Sequence, residues 1–143
     1  MLLVQRHLLN ASARPAAEQI WLRAERSLFL KRRWRATADD GLEFGFNLES
    51  RLTSGAVIHQ TEAADYVVVQ QPEPVFQIRC DGAAQAALIG WKLGNLHFPV
   101  EIGEGWLRVA PDLAVSQLAA REAWPLTEAV VVFNPLRATP HAS

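Results

Sequence analysis

The sequence predicts an α+β protein, in which an N-terminal all-β domain is followed by a domain with the element order βαββαβ. Three observations carry this reading. Leu42, Phe44, Phe46 and Leu48 alternate with polar or small residues in the period of a half-buried strand. Beyond residue 75, strand-like and helix-like patterns take turns. Between these regimes the run Gln70-Gln71-Pro72-Glu73-Pro74 interrupts both periodicities, as a linker between domains would. The expected organisation is therefore a β-rich, peptide- or partner-binding-like domain over residues 1–71, a second domain over 72–136 and a flexible tail over 137–143.

Composition sets the broad class. Half of the 143 residues are hydrophobic and 20% are charged, the balance of an ordinary globular protein. The formal net charge of −1 argues against a nucleic-acid partner or an anionic membrane surface. No apolar run approaches the ~20 residues of a membrane span, and residues after Met1 do not read as a signal segment. A single cysteine, Cys80, excludes an internal disulfide, and a cytoplasmic location is expected.

In the first domain, residues 20–30 and the basic run Lys31-Arg32-Arg33-Trp34-Arg35 lead into Asp39-Asp40-Gly41, a hairpin signal because glycine supplies the positive φ of a tight turn. The basic run itself reads mostly as the solvated face of a strand. Short β-prone runs recur at 56–59 and 66–70. In the second domain, 75–80 reads as a strand and Asp81 as the cap of a helix over 83–93. Gly94-Asn95 reads as the stop of that helix, since both residues accept the left-handed conformation. Residues 98–102 and 106–109 form a hairpin around Gly103-Glu104-Gly105. Pro111-Asp112 opens a second helix, Trp124-Pro125 closes it, and 129–133 is a last apolar strand. This order is that of the ferredoxin-like split βαβ motif, whose second strand lies at a sheet edge. Pro99, which cannot donate to a ladder, agrees with an edge.

The chain has no glycine-rich phosphate loop, no Cys-x-x-Cys and no His-x-x-x-His helix. Of its four histidines, His7 and His59 read as solvated or packed imidazoles, and Cys80, in phase with Phe76 and Ile78, as a small buried hydrophobe. His97 differs. If residues 96–102 form one strand, Leu96, Phe98, Val100 and Ile102 share its apolar face, and His97 stands on the polar face beside a helix end. Imidazole suits nickel, zinc and copper, but one histidine does not make a site. It becomes a metal hypothesis only in a homodimer, where a residue near the two-fold axis is presented twice. His141, in the tail, is the second candidate: a tethered, exchangeable ligand that could fold over paired His97 residues.

The segment Leu93-Gly94-Asn95-Leu96-His97-Phe98-Pro99, followed by Ile102-Gly103-Glu104-Gly105-Trp106-Leu107-Arg108, resembles the C-terminal domain of the urease accessory nickel chaperones of the UreE family. The Asp-Asp-Gly turn, the following Gly-Phe-Asn-Leu strand, Pro-Glu-Pro-Val and Cys80-Asp81 extend the resemblance over nearly the whole chain. It implies a homodimer through the C-terminal domain, Ni(II) held by paired His97 residues with Zn(II) or Cu(II) possible in vitro, and no enzyme activity. It also implies delivery of the metal to the urease apoprotein, together with other urease accessory proteins that include the GTPase UreG. Many relatives carry a histidine where this chain has Lys92, and some carry histidines at the positions of Pro111 and Leu113. Auxiliary sites are therefore not expected at these three positions. Two other readings remain: a protein-binding accessory module of the same fold without metal, and a small enzyme. For the enzyme, no base and nucleophile stand at recognisable spacing.

Overall fold

The computed structural model describes residues 1–136. The expected flexible tail over 137–143, with His141, lies outside the described residues. The chain divides into two compact units, Met1–Gln71 and Pro72–Ser143. Among the described residues the architecture is mixed, with ten strands and two α-helices. No helix among them is long and apolar enough to cross a membrane.

The first unit holds six strands: β1 (Leu2–Val4), β2 (Gln19–Ala24), β3 (Arg33–Thr37), β4 (Glu43–Asn47), β5 (Val57–Gln60) and β6 (Asp65–Gln70). They form two three-stranded sheets, ordered β1-β4-β3 and β2-β6-β5. β3 and β4 are the hairpin expected around Asp-Asp-Gly, and Gly41 takes φ 90°. Alternation in β4 buries Phe44 and Phe46, and Trp34 of β3 stacks on Phe46 with ring centroids 4.0 Å apart. β2 ends at Ala24, and a 3₁₀ turn over Arg26–Leu30 puts Phe29 into the core. Buried Asp65 accepts hydrogen bonds from Ser12 (2.8 Å) and Gln60 (3.1 Å), tying the loop after β1 to β6.

The second unit runs β7 (Glu73–Arg79), α1 (Ala83–Asn95), β8 (Glu101–Gly103), β9 (Trp106–Val109), α2 (Leu113–Glu122) and β10 (Leu126–Val131), in the sheet order β10-β7-β9-β8. Ile89 and Leu93 of α1 and Val115, Leu118 and Ala119 of α2 pack with Ile78, Leu107 and Val109 of the sheet. Each fully buried aliphatic side chain here contributes about 1.5–3 kcal/mol relative to exposure.

Several boundaries differ from expectation, each for a local reason. The linker is only Gln71-Pro72, because Pro74 lies inside β7. The proline is tolerated there because β9 pairs with β7 only from Phe76 onward. Asp81 does not cap α1. Gly82 occupies the N-cap position at φ 89°, a conformation that suits glycine, while Asp81 forms an ion pair with Arg79. Pro111 precedes α2 rather than lying in its first turn, and Asp112 caps the helix by accepting from Ala114 N–H at 2.8 Å. The last strand begins at Leu126, not 129.

The segment before β8 departs most. The edge strand is three residues long, and residues 96–100 are not part of it. β8 does lie at the sheet edge. Its faces reverse the expected polarity: Ile102 is 62% exposed, whereas Glu101 is half-buried, with its Oε1 3.6 Å from the Arg108 guanidinium. Beyond β10 the chain returns to the opposite edge. Phe133 is 1% exposed, and Leu136 N–H donates to the Val100 carbonyl at 2.8 Å.

Candidate metal centre

The helix α1 ends at Asn95, as expected, but neither Gly94 nor Asn95 takes the left-handed turn; the helix closes on the next three residues. His97 N–H donates to the Gly94 carbonyl (2.9 Å) and Phe98 N–H to the Leu93 carbonyl (3.2 Å). These paired bonds are the Schellman motif, which requires a left-handed residue at its turning point. That residue is His97, with φ 63°. Phe98 then packs onto the cluster that contains Leu93 and Ile89. Each link follows from the last: buried Leu93 fixes the last turn, Phe98 returns to the same core, and the residue between them must turn left-handed. A non-glycine residue in that conformation costs roughly 1–2 kcal/mol, less for histidine than for bulkier or branched types.

His97 is exposed at this turn. The last carbonyls of a helix carry a partial negative charge, which favours a cation held at this end. Either ring nitrogen of a neutral imidazole can ligate a transition metal. Among the described residues, no three His, Cys, Asp or Glu side chains gather as a metal site. The described residues of one chain therefore offer one imidazole here.

The other candidate groups have different roles. Lys92 Nζ is 2.8 Å from Glu122 Oε1, and this contact holds the Glu122 carboxyl below its ordinary range. Asp112 is occupied as the cap of α2 between exposed Pro111 and Leu113. Cys80 is buried, and burial, then the charge of Asp81, pushes its thiol pKa up, away from the thiolate a metal takes. His59 packs against Tyr66 and Phe44, with centroids at 5.4 and 6.1 Å. His7 is exposed. The structure thus brings no second sequence-identified ligand to His97 within the described residues.

Sequence reading missed the apolar surroundings of this end of the unit. Trp91 is 64% exposed on α1, and Leu88 and Leu96 are exposed as well. A helical pattern alone could have flagged them, since Leu88 and Trp91 fall off the face defined by Ile89 and Leu93. Between the end of α1 and α2 lies an open groove of about 400 Å³, lined by Lys92, Asn95, Leu96, Gln117, Leu118 and Arg121.

Comparison with known proteins bears on the same region. A sequence model described as "UreE urease accessory protein, C-terminal domain" matches residues 73–143. A urease accessory protein UreE of Beijerinckia indica is 32% identical over 107 residues, covering 73% of this chain and 62% of that protein. The chain thus spans less than two thirds of that relative. A UreE of Alteromonas mediterranea is 32% identical over 108 residues, covering 73% of this chain and 70% of the other. One from Teredinibacter turnerae is 28% identical over 115 residues, covering 79% and 75%.

Proposed function

Since the chain belongs to the UreE family of urease accessory proteins, a family of accessory proteins rather than enzymes, we propose that it carries Ni(II) for assembly of the urease active site. In this reading the second unit is a ferredoxin-like metal-binding and dimerisation domain, consistent with its element order and the strand order β10-β7-β9-β8. Two copies associate so that their His97 imidazoles face one nickel ion. The first unit engages partners. The metal passes to the urease apoprotein with the help of other accessory proteins, including the GTPase UreG, in the cytoplasm.

The observation that carries the reading is the place of His97, an exposed imidazole held at the left-handed turn that ends α1. Glycine is the residue that this backbone position favours, so a histidine there calls for a reason beyond folding. Exposed Trp91, Leu88, Leu96 and Ile102 supply the apolar area that a dimer contact at this end needs. Zn(II) and Cu(II) compete for the same imidazoles in vitro, and intrinsic affinity favours copper over nickel, so selectivity rests on delivery and geometry. His141 serves as an auxiliary ligand, reaching in from beyond Leu136.

A second reading has one observation in its favour. With Lys92 in an ion pair with Glu122, and Pro111 and Leu113 flanking a capping aspartate, the fold would also suit a protein-binding accessory module without metal. Equilibrium dialysis of the untagged protein against Ni(II), with sedimentation in parallel, separates the two. The metal reading expects a dimer and about one tight nickel per two chains. A monomer at micromolar concentration with and without nickel, or a dimer that takes up none, overturns it.

A further inference from the structure

The basic run at residues 31–35 is not used by the metal reading, and the fold gives it a specific geometry. Trp34 points into the core and stacks on Phe46, so strand alternation turns Arg33 and Arg35 to the opposite face of the β1-β4-β3 sheet. The register places Leu3, Gly45 and Arg35 in one row across that face, and Asn47 and Arg33 in the next. Gly45 leaves the middle of the row without a side chain, and the Met1 and Leu3 side chains lie over it, within 3.2 Å of where a Cβ would be. The result is a hollow of about 450 Å³, with an apolar ridge of Met1 and Leu3 on one side and two guanidinium groups on the other. Leu3 is 76% exposed along this ridge. Arg33 Nε donates to Asn47 Oδ1 at 3.3 Å, and Arg35 has no side-chain hydrogen bond or ion pair among the described residues. Lys31 and Arg32 are exposed just before the strand, and the carboxylate of the face, Glu43, sits one row away, opposite Thr37.

We propose that this face docks an extended acidic segment of a partner protein, with carboxylates two residues apart pairing with Arg33 and Arg35 and an apolar side chain resting on the Met1–Leu3 ridge. The choice of occupant follows from charge and spacing. Residues i and i+2 of a strand are about 7 Å apart on one face, and an extended partner segment repeats at the same interval. A guanidinium takes a carboxylate through two parallel hydrogen bonds, which fixes geometry as well as charge. A solvated basic strand would have no need of the apolar ridge beside it. The proposal is independent of nickel.

The test is a titration of the full chain, without metal, against three probes: the peptides acetyl-Glu-Ser-Glu-Ser-Val-amide, whose carboxylates and valine share one face, and acetyl-Glu-Glu-Ser-Ser-Val-amide, whose adjacent carboxylates face opposite sides, and a single-stranded oligothymidylate. Amide shift changes in β1, β3 and β4 are followed by NMR. The alternating peptide should bind at least tenfold more tightly than the clustered one, and Arg33→Gln/Arg35→Gln should remove that advantage. If the double variant does not fold, Arg35→Gln alone should lower the affinity at least threefold. Equal binding of the two peptides, absence of binding, or persistence of the advantage in the variant overturns the proposal. Tighter binding of the oligonucleotide overturns it in favour of a nucleic-acid surface.

Discussion

Lys92 Nζ lies 2.8 Å from Glu122 Oε1, and this ion pair joins the last turn of α1 to the last turn of α2. It occupies the helix position at which the family resemblance would place a histidine. A cation held by a carboxylate on the neighbouring helix is not a metal ligand; here the position fastens the two helices just before the turn that bears His97.

A pH dependence follows. The hydrogen bond from Lys92, then its charge, holds the Glu122 carboxyl below its ordinary value. A carboxyl with a depressed folded-state pKa contributes stability above its unfolded value, about 4.3, and loses that contribution as pH falls through the lower folded value. The melting temperature of Lys92→Met should therefore lie below that of the parent at pH 6–7, with the gap closing below about pH 4. A gap that stays constant from pH 7 to 3 would show that the pair contributes nothing electrostatic.

His97 gives a prediction with two readouts of opposite sign. At φ 63°, glycine is favoured over any side chain, so His97→Gly should stabilise the fold by about 1 kcal/mol in urea unfolding. His97→Ala, at an exposed position, should change stability by no more than about 0.5 kcal/mol. Both variants should lose tight nickel binding in calorimetry. In the parent, binding should weaken with acidification, because ligation requires the unprotonated ring. Unchanged stoichiometry in either variant refutes the assignment of the ligand.

Trp91 tests the proposed dimer. It is 64% exposed on α1, which ends two residues before His97. Placing a charge there, as in Trp91→Glu, should leave the monomer folded, shift sedimentation towards a single chain and lower nickel affinity together with it. A variant that remains dimeric and binds nickel normally would put the interface elsewhere.

The tail is tested by deletion after Leu136. Leu136 is bonded to Val100, close in sequence to His97, and residue 141 can extend from it by at most roughly 17 Å. If His141 supports the metal, nickel binding should weaken about 10–100-fold without being abolished. Equal affinity in the truncated chain removes His141 from the site, and complete loss removes His97 as the primary ligand.

The hairpin at Asp39-Asp40-Gly41, the alternation in β4 and the order of elements in the second unit were all legible in the sequence, because each rests on contacts close along the chain. The turn at His97 was not. Leu96, Phe98 and Val100 spell a strand, yet Phe98 returns its N–H to Leu93 and is drawn into the helix cap by the core it joins. Gly94 and Asn95 do mark the end of the helix, but the left-handed residue that closes it is His97. Pro74 was misread as linker for a related reason: where along β7 the neighbouring strand begins to pair is a tertiary fact. The exposure of His97 was foreseen, though on the polar face of a strand.

The bond between Leu136 and Val100 has a mechanical consequence. The segment after β10 crosses to the opposite edge of the sheet before leaving the described structure, so tension applied beyond Leu136 reaches the loop of His97 before it reaches β10. A partner that grips the last residues would first slacken the loop that carries His97, while the sheet stays whole. Stretching single molecules from the C-terminus should then show a short release before the main rupture, absent in Leu136→Pro, which has no N–H to give Val100. A single rupture in the parent chain would mean that the bond carries no load.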